Sequence, residues 1–139
     1  VQFLKKKNIK NIVIAAHSMG TTMANQYLIA KPDPAIRAYI AISMPNDPKS
    51  KEFNNVKKLS QIKAIPVLDI YGNQDLDSVL RFTKKRFVAG KKANPRYKQV
   101  MIKGADHFYQ SKSHQLVKII RLWLLKNAPS KEIKNNKIP

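Results

Sequence analysis

Three residues whose side chains together could perform nucleophilic catalysis, Ser18, Asp75 and His107, occur in this order along the chain. A serine hydroxyl becomes a nucleophile when a histidine takes its proton, and a carboxylate can hold that histidine in the required tautomer. The chemistry that such a set predicts is acyl transfer, in which the serine attacks a carbonyl carbon. We expect this chemistry to need no metal ion and no organic cofactor.

Ser18 is the middle residue of Ala16-His17-Ser18-Met19-Gly20, which lies between a strand-like run and a helical pattern. This is the G-x-S-x-G arrangement of a nucleophile elbow, with Ala16 in place of the first glycine. We expect Ala16 and Gly20 to be small because a strained turn brings neighbouring backbone close. The backbone N–H of Met19 is the expected donor to an oxyanion. The alternative is that Ser18 merely caps the helix.

The candidate acid follows a later apolar run, residues 66–71, which ends in a glycine turn. Asp75 is the preferred acid and Asp77 is its nearest rival, since a carboxylate just past a strand can reach across to a histidine. Asp69 lies inside the strand pattern and is expected to be structural. The alternative for Asp75 is that it caps a helix beginning at Leu76.

His107 is the candidate base, and it lies in a loop, residues 104–109, behind the last strand-like run. From there a histidine can take the proton of the serine and return it to the leaving group. His17 is expected to point elsewhere on the elbow, and His114 stands at the start of a helix. The alternative is that His107 is an ordinary polar loop residue.

The order of elements predicts an α/β fold in which a parallel sheet is flanked by helices. Apolar runs typical of buried strands cover residues 11–16, 37–43, 65–71 and 97–102. Helical patterns cover residues 1–8, 18–30, 53–62, 76–92 and 113–126. We therefore expect residues 1–126 to form a partial α/β domain and residues 127–139 to form a flexible basic C-terminal tail.

Two predicted helices carry an apolar side that should pack on the sheet. These sides consist of Met19, Met23, Tyr27 and Leu28 in the first helix, and of Leu116, Ile119, Ile120, Trp123 and Leu124 in the second. The strand at residues 11–16 would leave an apolar, unpaired edge, which natural sheets avoid. We therefore expect an N-terminal half of the same fold to be the partner of this edge.

The composition is strongly basic, with 27 Lys and Arg residues against 8 Asp and Glu and a formal net charge of +19. Such a charge favours binding to polyanions such as nucleic acid or anionic lipid. However, the lysines are scattered, and the arginine forks and interleaved aromatics of specific nucleic-acid recognition are absent from the sequence. We therefore rank nucleic-acid binding last and expect no nucleic-acid partner. The absence of cysteine excludes disulfides and thiolate metal sites.

The segment around Ser18, together with Gly72-Asn73-Gln74-Asp75 and Gly104-Ala105-Asp106-His107, resembles the α/β-hydrolase superfamily. The resemblance implies the C-terminal half of that fold, strands five to eight, with Ser18, Asp75 and His107 as nucleophile, acid and base. Within the superfamily, residues 66–71 and 94–100 and Trp123-Leu124 are similar to an uncharacterised Gram-negative family of unknown function. That similarity points to the periplasm or envelope, with the cytoplasm still open.

The function implied by the resemblance is that of a serine hydrolase acting on a carboxylic ester or related small acyl substrate. Residues 44–64 leave little room for a large lid, so an open pocket is expected. The loop that supplies the second oxyanion donor in the superfamily is not among these residues, so we expect the isolated chain to be inactive. The alternative is a non-catalytic α/β-hydrolase-like protein that contacts an anionic envelope polymer or lipid surface.

Overall fold

The apolar runs of the sequence form a parallel sheet in the computed structural model, which describes residues 1–128. The strands are β1 (Ile12–His17), β2 (Ile36–Ile42), β3 (Val67–Gln74) and β4 (Tyr97–Asp106). They lie in the order β1-β2-β3-β4, and every neighbouring pair is parallel. The central strands β2 and β3 are buried along most of their length, as parallel strands covered on both faces must be. The predicted fold class is confirmed.

Helices connect the strands and cover both faces of the sheet. They are α1 (Gln2–Lys6), α2 (Met19–Ala30), α3 (Asn55–Leu59), α4 (Asp77–Leu80), α5 (Thr83–Ala93) and α6 (Ser113–Asn127). Alternate residues of β2 belong to different core clusters: Tyr39 lies with Leu28 of α2, and Ile40 lies with Trp123 of α6. Because side chains alternate across a strand, α2 and α6 cover opposite faces.

The apolar side predicted for the last helix is the side that packs on the sheet. Trp123 is buried, and the other four residues of that side pack against the same core cluster. Helix α6 ends at Asn127, one residue later than predicted. The predicted tail falls, from residue 129 onward, outside the residues that the structure describes.

The apolar side predicted for α2 is wrong in part, because Met19 and Met23 are 60% and 70% exposed. The helix instead buries a polar side, whose Asn25 donates a hydrogen bond to the side-chain oxygen of Asn55 at 2.9 Å. Asn55 in turn donates to the hydroxyl of Thr22 at 2.8 Å. This hydrogen bonding joins α2 to α3 and offsets the cost of burying amides.

The single long helix predicted over residues 76–92 is also wrong, since α4 and α5 are separated around Phe82, whose φ of −115° and ψ of 4° are not helical. The break lets Arg86 of α5 enter the protein interior, where its side chain is fully buried. Its guanidinium donates to the carbonyl oxygens of Val79 at 2.8 Å and of Met44 at 3.0 Å.

Strands β3 and β4 extend beyond the predicted ends, so that both glycine turns lie inside strands. A Cβ atom on Gly72 would lie 2.1 Å from the carbonyl oxygen of Ala105, which no side chain could tolerate. Glycine at this position therefore permits the close approach of the two strand ends. As a result, the residues that follow β3 and β4 leave the sheet side by side. Helix α3, in contrast, is shorter than the helix predicted for residues 53–62.

Candidate active site

Ser18 occupies a strained turn directly between β1 and α2, with φ of 53° and ψ of −126°. Its N–H donates to the carbonyl oxygen of Ile42 at 2.9 Å, and its own carbonyl oxygen accepts from the Thr21 hydroxyl at 2.6 Å. Positive φ costs a non-glycine residue about 1–3 kcal/mol and persists only where the surroundings impose it. Among the described residues the Ser18 side chain forms no capping hydrogen bond, which disfavours the helix-cap alternative.

The side chains of Ser18, His107 and Asp75 lie in one hydrogen-bonded line. Nε2 of His107 is 2.9 Å from the Ser18 hydroxyl oxygen, and Nδ1 of His107 is 2.6 Å from Oδ1 of Asp75. The side chains of His107 and Asp75 are buried. Because an ionised carboxylate can only accept, Nδ1 carries a proton, and Nε2 of the neutral ring is left to accept from the hydroxyl. A histidine held in this way can remove the serine proton.

The two candidate acids occupy different environments. Asp75 is buried between the strand ends, and its Oδ1 also accepts the N–H of Leu76 at 2.8 Å. Helix α4 begins only at Asp77, with Leu76 at the cap position, so Asp75 does not cap it. Asp77 is exposed and forms an ion pair with Arg81 at 3.0 Å. Of the two candidate acids, Asp75 is the one that forms a hydrogen bond with His107.

Asp69, which the sequence pattern placed inside a strand, lies in a separate buried cluster. Its Oδ2 accepts hydrogen bonds from Arg86 at 2.9 Å, from the Tyr97 hydroxyl at 2.6 Å and from Gln99 at 2.9 Å. Burial, and then the charge of Asp69, raise the pKa of Tyr97 well above its ordinary value, so this hydroxyl stays a donor. Asp69 is therefore structural, as predicted.

His17 does not point away from the site, and the expectation that it would is wrong. Its Nε2 lies 2.8 Å from the carbonyl oxygen of His107, and the centroids of the two imidazole rings are 4.8 Å apart. The ring of Phe108 lies 6.2 Å from that of His17 and 5.2 Å from that of His107. His17 thus ties the loop that carries the base to the turn that carries the serine.

Two residues near Asp75 were missed by the sequence analysis. Ser43 is fully buried directly after β2, and its hydroxyl bonds to Oδ2 of Asp75 and lies 2.9 Å from the Tyr109 hydroxyl oxygen. Ser43 and Tyr109 are the two missed residues, and both have a positive φ, 52° and 57° respectively. Burial raises the pKa of Tyr109 to about 12, although its hydrogen bond with Ser43 acts in the opposite direction. The position of Ser43, at the end of an apolar run, was the available signal.

The steric demand expected at Gly20 of the elbow is weaker than predicted. A Cβ atom built on Gly20 would meet the Cβ of Ala16 at 3.9 Å, which is an ordinary van der Waals distance. Close backbone approach therefore does not require glycine at this position. Ala16 and Gly20 face one another across the turn.

A cavity of about 950 Å³ lies away from Ser18. Its walls include Ile36, Pro66 and Arg96, which stand at or just before the amino ends of β2, β3 and β4. The hydrogen-bonded line is at the carboxyl ends, the edge at which parallel α/β proteins bind ligands. In residues 1–128 no group of three or more His, Asp or Glu side chains could hold a metal ion, and no helix is long and apolar enough to cross a membrane.

This combination of a parallel sheet, flanking helices and a serine in the strand–helix turn is an α/β-hydrolase fold. Solved structures with the same fold include an esterase from Pyrococcus furiosus, with a TM-score of 0.72 and 19% identity. An esterase domain from Rhodothermus marinus gives 0.69 and 14% identity. A predicted CIB-like hydrolase from Thermoplasma acidophilum gives 0.68 and 21% identity. At these identities the likeness shows the fold alone.

The chain belongs to the family described as "Protein of unknown function (DUF3530)", whose model matches residues 1–126. No curated protein matches the chain in sequence. The structural matches cover 90% of this chain and 58% of the Pyrococcus esterase, 90% and 65% of the Rhodothermus domain, and 89% and 55% of the Thermoplasma hydrolase. The chain therefore spans somewhat more than half the length of these proteins.

Proposed function

We propose that this chain carries the nucleophile, base and acid of a serine hydrolase that cleaves a carboxylic ester or a related acyl compound. The observation that supports this most strongly is the hydrogen-bonded line from Asp75 through His107 to Ser18, with distances of 2.6 and 2.9 Å. The strain at Ser18 adds to it, because a non-glycine residue with positive φ often marks a functional position.

In the proposed reaction, Ser18 Oγ attacks the carbonyl carbon of the substrate while Nε2 of His107 takes the hydroxyl proton. The tetrahedral intermediate then expels the alcohol, which receives that proton from His107, and an acyl ester of Ser18 remains. Water attacks this ester with His107 again as base, and the carboxylic acid leaves. Asp75 stabilises the imidazolium in both steps without becoming protonated.

The N–H of Met19 is the proposed oxyanion donor. Met19 is the first residue of α2, and N–H groups in the first turn of a helix have no partner within the helix. The positive end of the helix dipole also favours a negative charge at this point. A second donor and a partner for the free edge of β1 would come from a further segment of the same fold, which we propose as part of the complete protein.

The structural neighbours support the hydrolase class in general terms. The Pyrococcus and Rhodothermus proteins are named as an esterase and an esterase domain. A structure named as a bromoperoxidase from Bacillus anthracis also matches in fold, with a TM-score of 0.67. Since one fold hosts several chemistries, the side-chain geometry carries the proposal and the neighbours are consistent with it.

A fluorophosphonate probe tests the proposal, because it reacts with activated serine nucleophiles. We expect the complete protein to be labelled on Ser18, and Ser18→Ala to abolish labelling and ester hydrolysis. Ser60→Ala is the matched control, since the Ser60 hydroxyl only donates to the carbonyl oxygen of Lys57 at the surface. Absence of labelling in a folded wild-type protein would contradict the proposal.

That negative result would favour the second candidate, a non-catalytic protein that binds an anionic envelope polymer or lipid surface. The net charge of +19 is the observation behind it. Such binding would be electrostatic and would therefore weaken steeply as salt is added. Co-sedimentation with anionic vesicles at low and high salt would measure it.

A further inference from the structure

The carboxylate of Asp75 has a different set of partners on each oxygen. Oδ1 accepts from Nδ1 of His107 and from the N–H of Leu76, whereas Oδ2 accepts from the Ser43 hydroxyl. Rotation of a carboxylate about its last bond is soft, with broad minima. A donor on Oδ2 therefore determines which way Oδ1 faces. In this site the donor is Ser43, the residue directly after β2, and none of the three proposed catalytic residues follows that strand.

The direction of every proton in this chain of hydrogen bonds follows from chemistry. The carboxylate can only accept, so the Ser43 hydroxyl must donate to it. The oxygen of Ser43 is then free to accept, and the Tyr109 hydroxyl, 2.9 Å away, is the donor. Burial raises the pKa of Tyr109 to about 12, so its proton is present throughout the neutral range. The order is therefore Tyr109 to Ser43 to Asp75.

The backbone around these two residues is held in conformations that their residue types disfavour. Ser43 has a φ of 52° while fully buried, and its N–H donates to the carbonyl oxygen of Ile70 at 2.8 Å. Tyr109 has a φ of 57° and lies two residues after His107 on the same turn. Strain at non-glycine residues tends to persist where it serves a site. Here one strained residue, Ser43, directs its hydroxyl to the Asp75 carboxylate, and the other, Tyr109, directs its hydroxyl to Ser43.

We propose that Ser43 and Tyr109 are positioning residues, which orient the Asp75 carboxylate so that Oδ1 holds His107 in the tautomer that can accept the Ser18 proton. The proposal rests on the proposed function and adds a fourth strand end to its machinery. Neither residue touches the reacting atoms. Their effect on the reaction passes through Asp75 and His107.

Kinetics of the complete protein provide the first test. We expect Tyr109→Phe to lower kcat for ester hydrolysis about 10-fold, and Ser43→Gly about 100-fold, with little change in KM. Glycine is chosen at position 43 because it adopts a φ of 52° without strain and so protects the fold. Tyr97→Phe is the matched control, as it removes a buried tyrosine hydroxyl from a different carboxylate, that of Asp69. We expect its kcat to equal that of the wild type.

A spectroscopic measurement separates positioning from a general loss of stability. The proton between Nδ1 of His107 and Asp75 should give a proton NMR signal far downfield of the amides, because the two atoms are only 2.6 Å apart. We expect the signal to move or broaden in Tyr109→Phe and Ser43→Gly and to stay in place in Tyr97→Phe. An unchanged signal in the first two variants overturns the proposal, whatever their activity.

The same measurements distinguish failure of this proposal from failure of the proposed function. If the wild type is not labelled by a fluorophosphonate, the hydrolase proposal falls, and the NMR signal still decides whether Ser43 and Tyr109 orient Asp75. If Ser18 is labelled and Tyr109→Phe retains both the wild-type kcat and the wild-type signal, the hydrolase proposal stands and this one is overturned.

Discussion

Backbone strain in the described residues is concentrated at the candidate site. Four non-glycine residues of the described part have positive φ, and three of them lie at the site: Ser18 is the candidate nucleophile, Ser43 contacts Asp75, and Tyr109 contacts Ser43. The fourth is Asn8, a residue type that tolerates this conformation. Each strained residue costs about 1–3 kcal/mol, which packing elsewhere must offset. The site is thus held in place by its surroundings and is not the locally preferred conformation of its sequence.

A pair of acidic substitutions tests the assignment of Asp75. Asp75→Asn should lower kcat by several orders of magnitude, about 10^4-fold in a well-studied triad, because an amide at this position favours the wrong tautomer of the histidine. Asp77→Asn should leave kcat unchanged, since Asp77 is exposed and pairs only with Arg81. Steady-state ester hydrolysis by the complete protein measures both. Equal loss in the two variants would contradict the assignment.

The sequence predicted the candidate acid, base and nucleophile, but not the residues that hold them. Ser18, Asp75 and His107 are recognisable because each has a distinctive type and follows an apolar run. Ser43 ends another apolar run, yet that position alone does not single it out until its contact with Asp75, 32 positions away, is known. The hydrogen bond between the His17 side chain and the backbone of His107 joins residues 90 positions apart, and local sequence patterns cannot predict it either.

At the scale of elements, apolar periodicity predicted what packs against the sheet and failed where polar residues are buried. The apolar side of α6 was correctly predicted because this helix is amphipathic and packs its apolar side on one face of the sheet. The apolar side of α2 was not correctly predicted, because this helix buries Asn25 and Thr22, which form hydrogen bonds with Asn55. The break between α4 and α5 accompanies the burial of Arg86, whereas the sequence favours a surface position for an arginine.

Replacing Arg86 should reveal how much its buried ion pair with Asp69 contributes to the free energy of unfolding. Arg86→Leu would leave Asp69 as a buried carboxylate without its cation, which typically costs about 3–5 kcal/mol of unfolding free energy. Arg81→Leu removes an exposed ion pair with Asp77 and should cost no more than about 1 kcal/mol. Urea denaturation of the complete protein measures both. Similar midpoints for the two variants would show that the buried pair contributes little.

At the scale of the whole molecule, the parallel sheet places one residue of the candidate site at the carboxyl end of each of the four strands within residues 1–128. Ser18 follows β1, Ser43 follows β2, Asp75 follows β3 and His107 follows β4. Because all strands run in the same direction, their carboxyl ends share one edge, and residues far apart in sequence become neighbours. The order of motifs in the sequence predicted this gathering for three of the strands, while β2 supplied the unexpected member.

The last prediction concerns the 139-residue chain in isolation. Within residues 1–128, β1 pairs only with β2. The side chain of Val13 on β1 is 38% exposed, and those of Met19 and Met23 on α2 are more exposed still. Free edges and exposed apolar side chains favour self-association. Because the proposed second oxyanion donor lies on the proposed further segment, we also expect turnover of this chain alone to be about 100- to 1000-fold lower than with that segment present.

Size-exclusion chromatography and ester hydrolysis of the isolated chain measure these two effects separately. Val13→Lys is the informative variant, because a lysine on an edge strand opposes pairing with a second copy. We expect it to reduce self-association without raising turnover, since a substitution on β1 does not supply the proposed second oxyanion donor. A monomeric wild-type chain with turnover equal to that of the complete protein would show that the described residues already form a full oxyanion site and need no further segment of the fold.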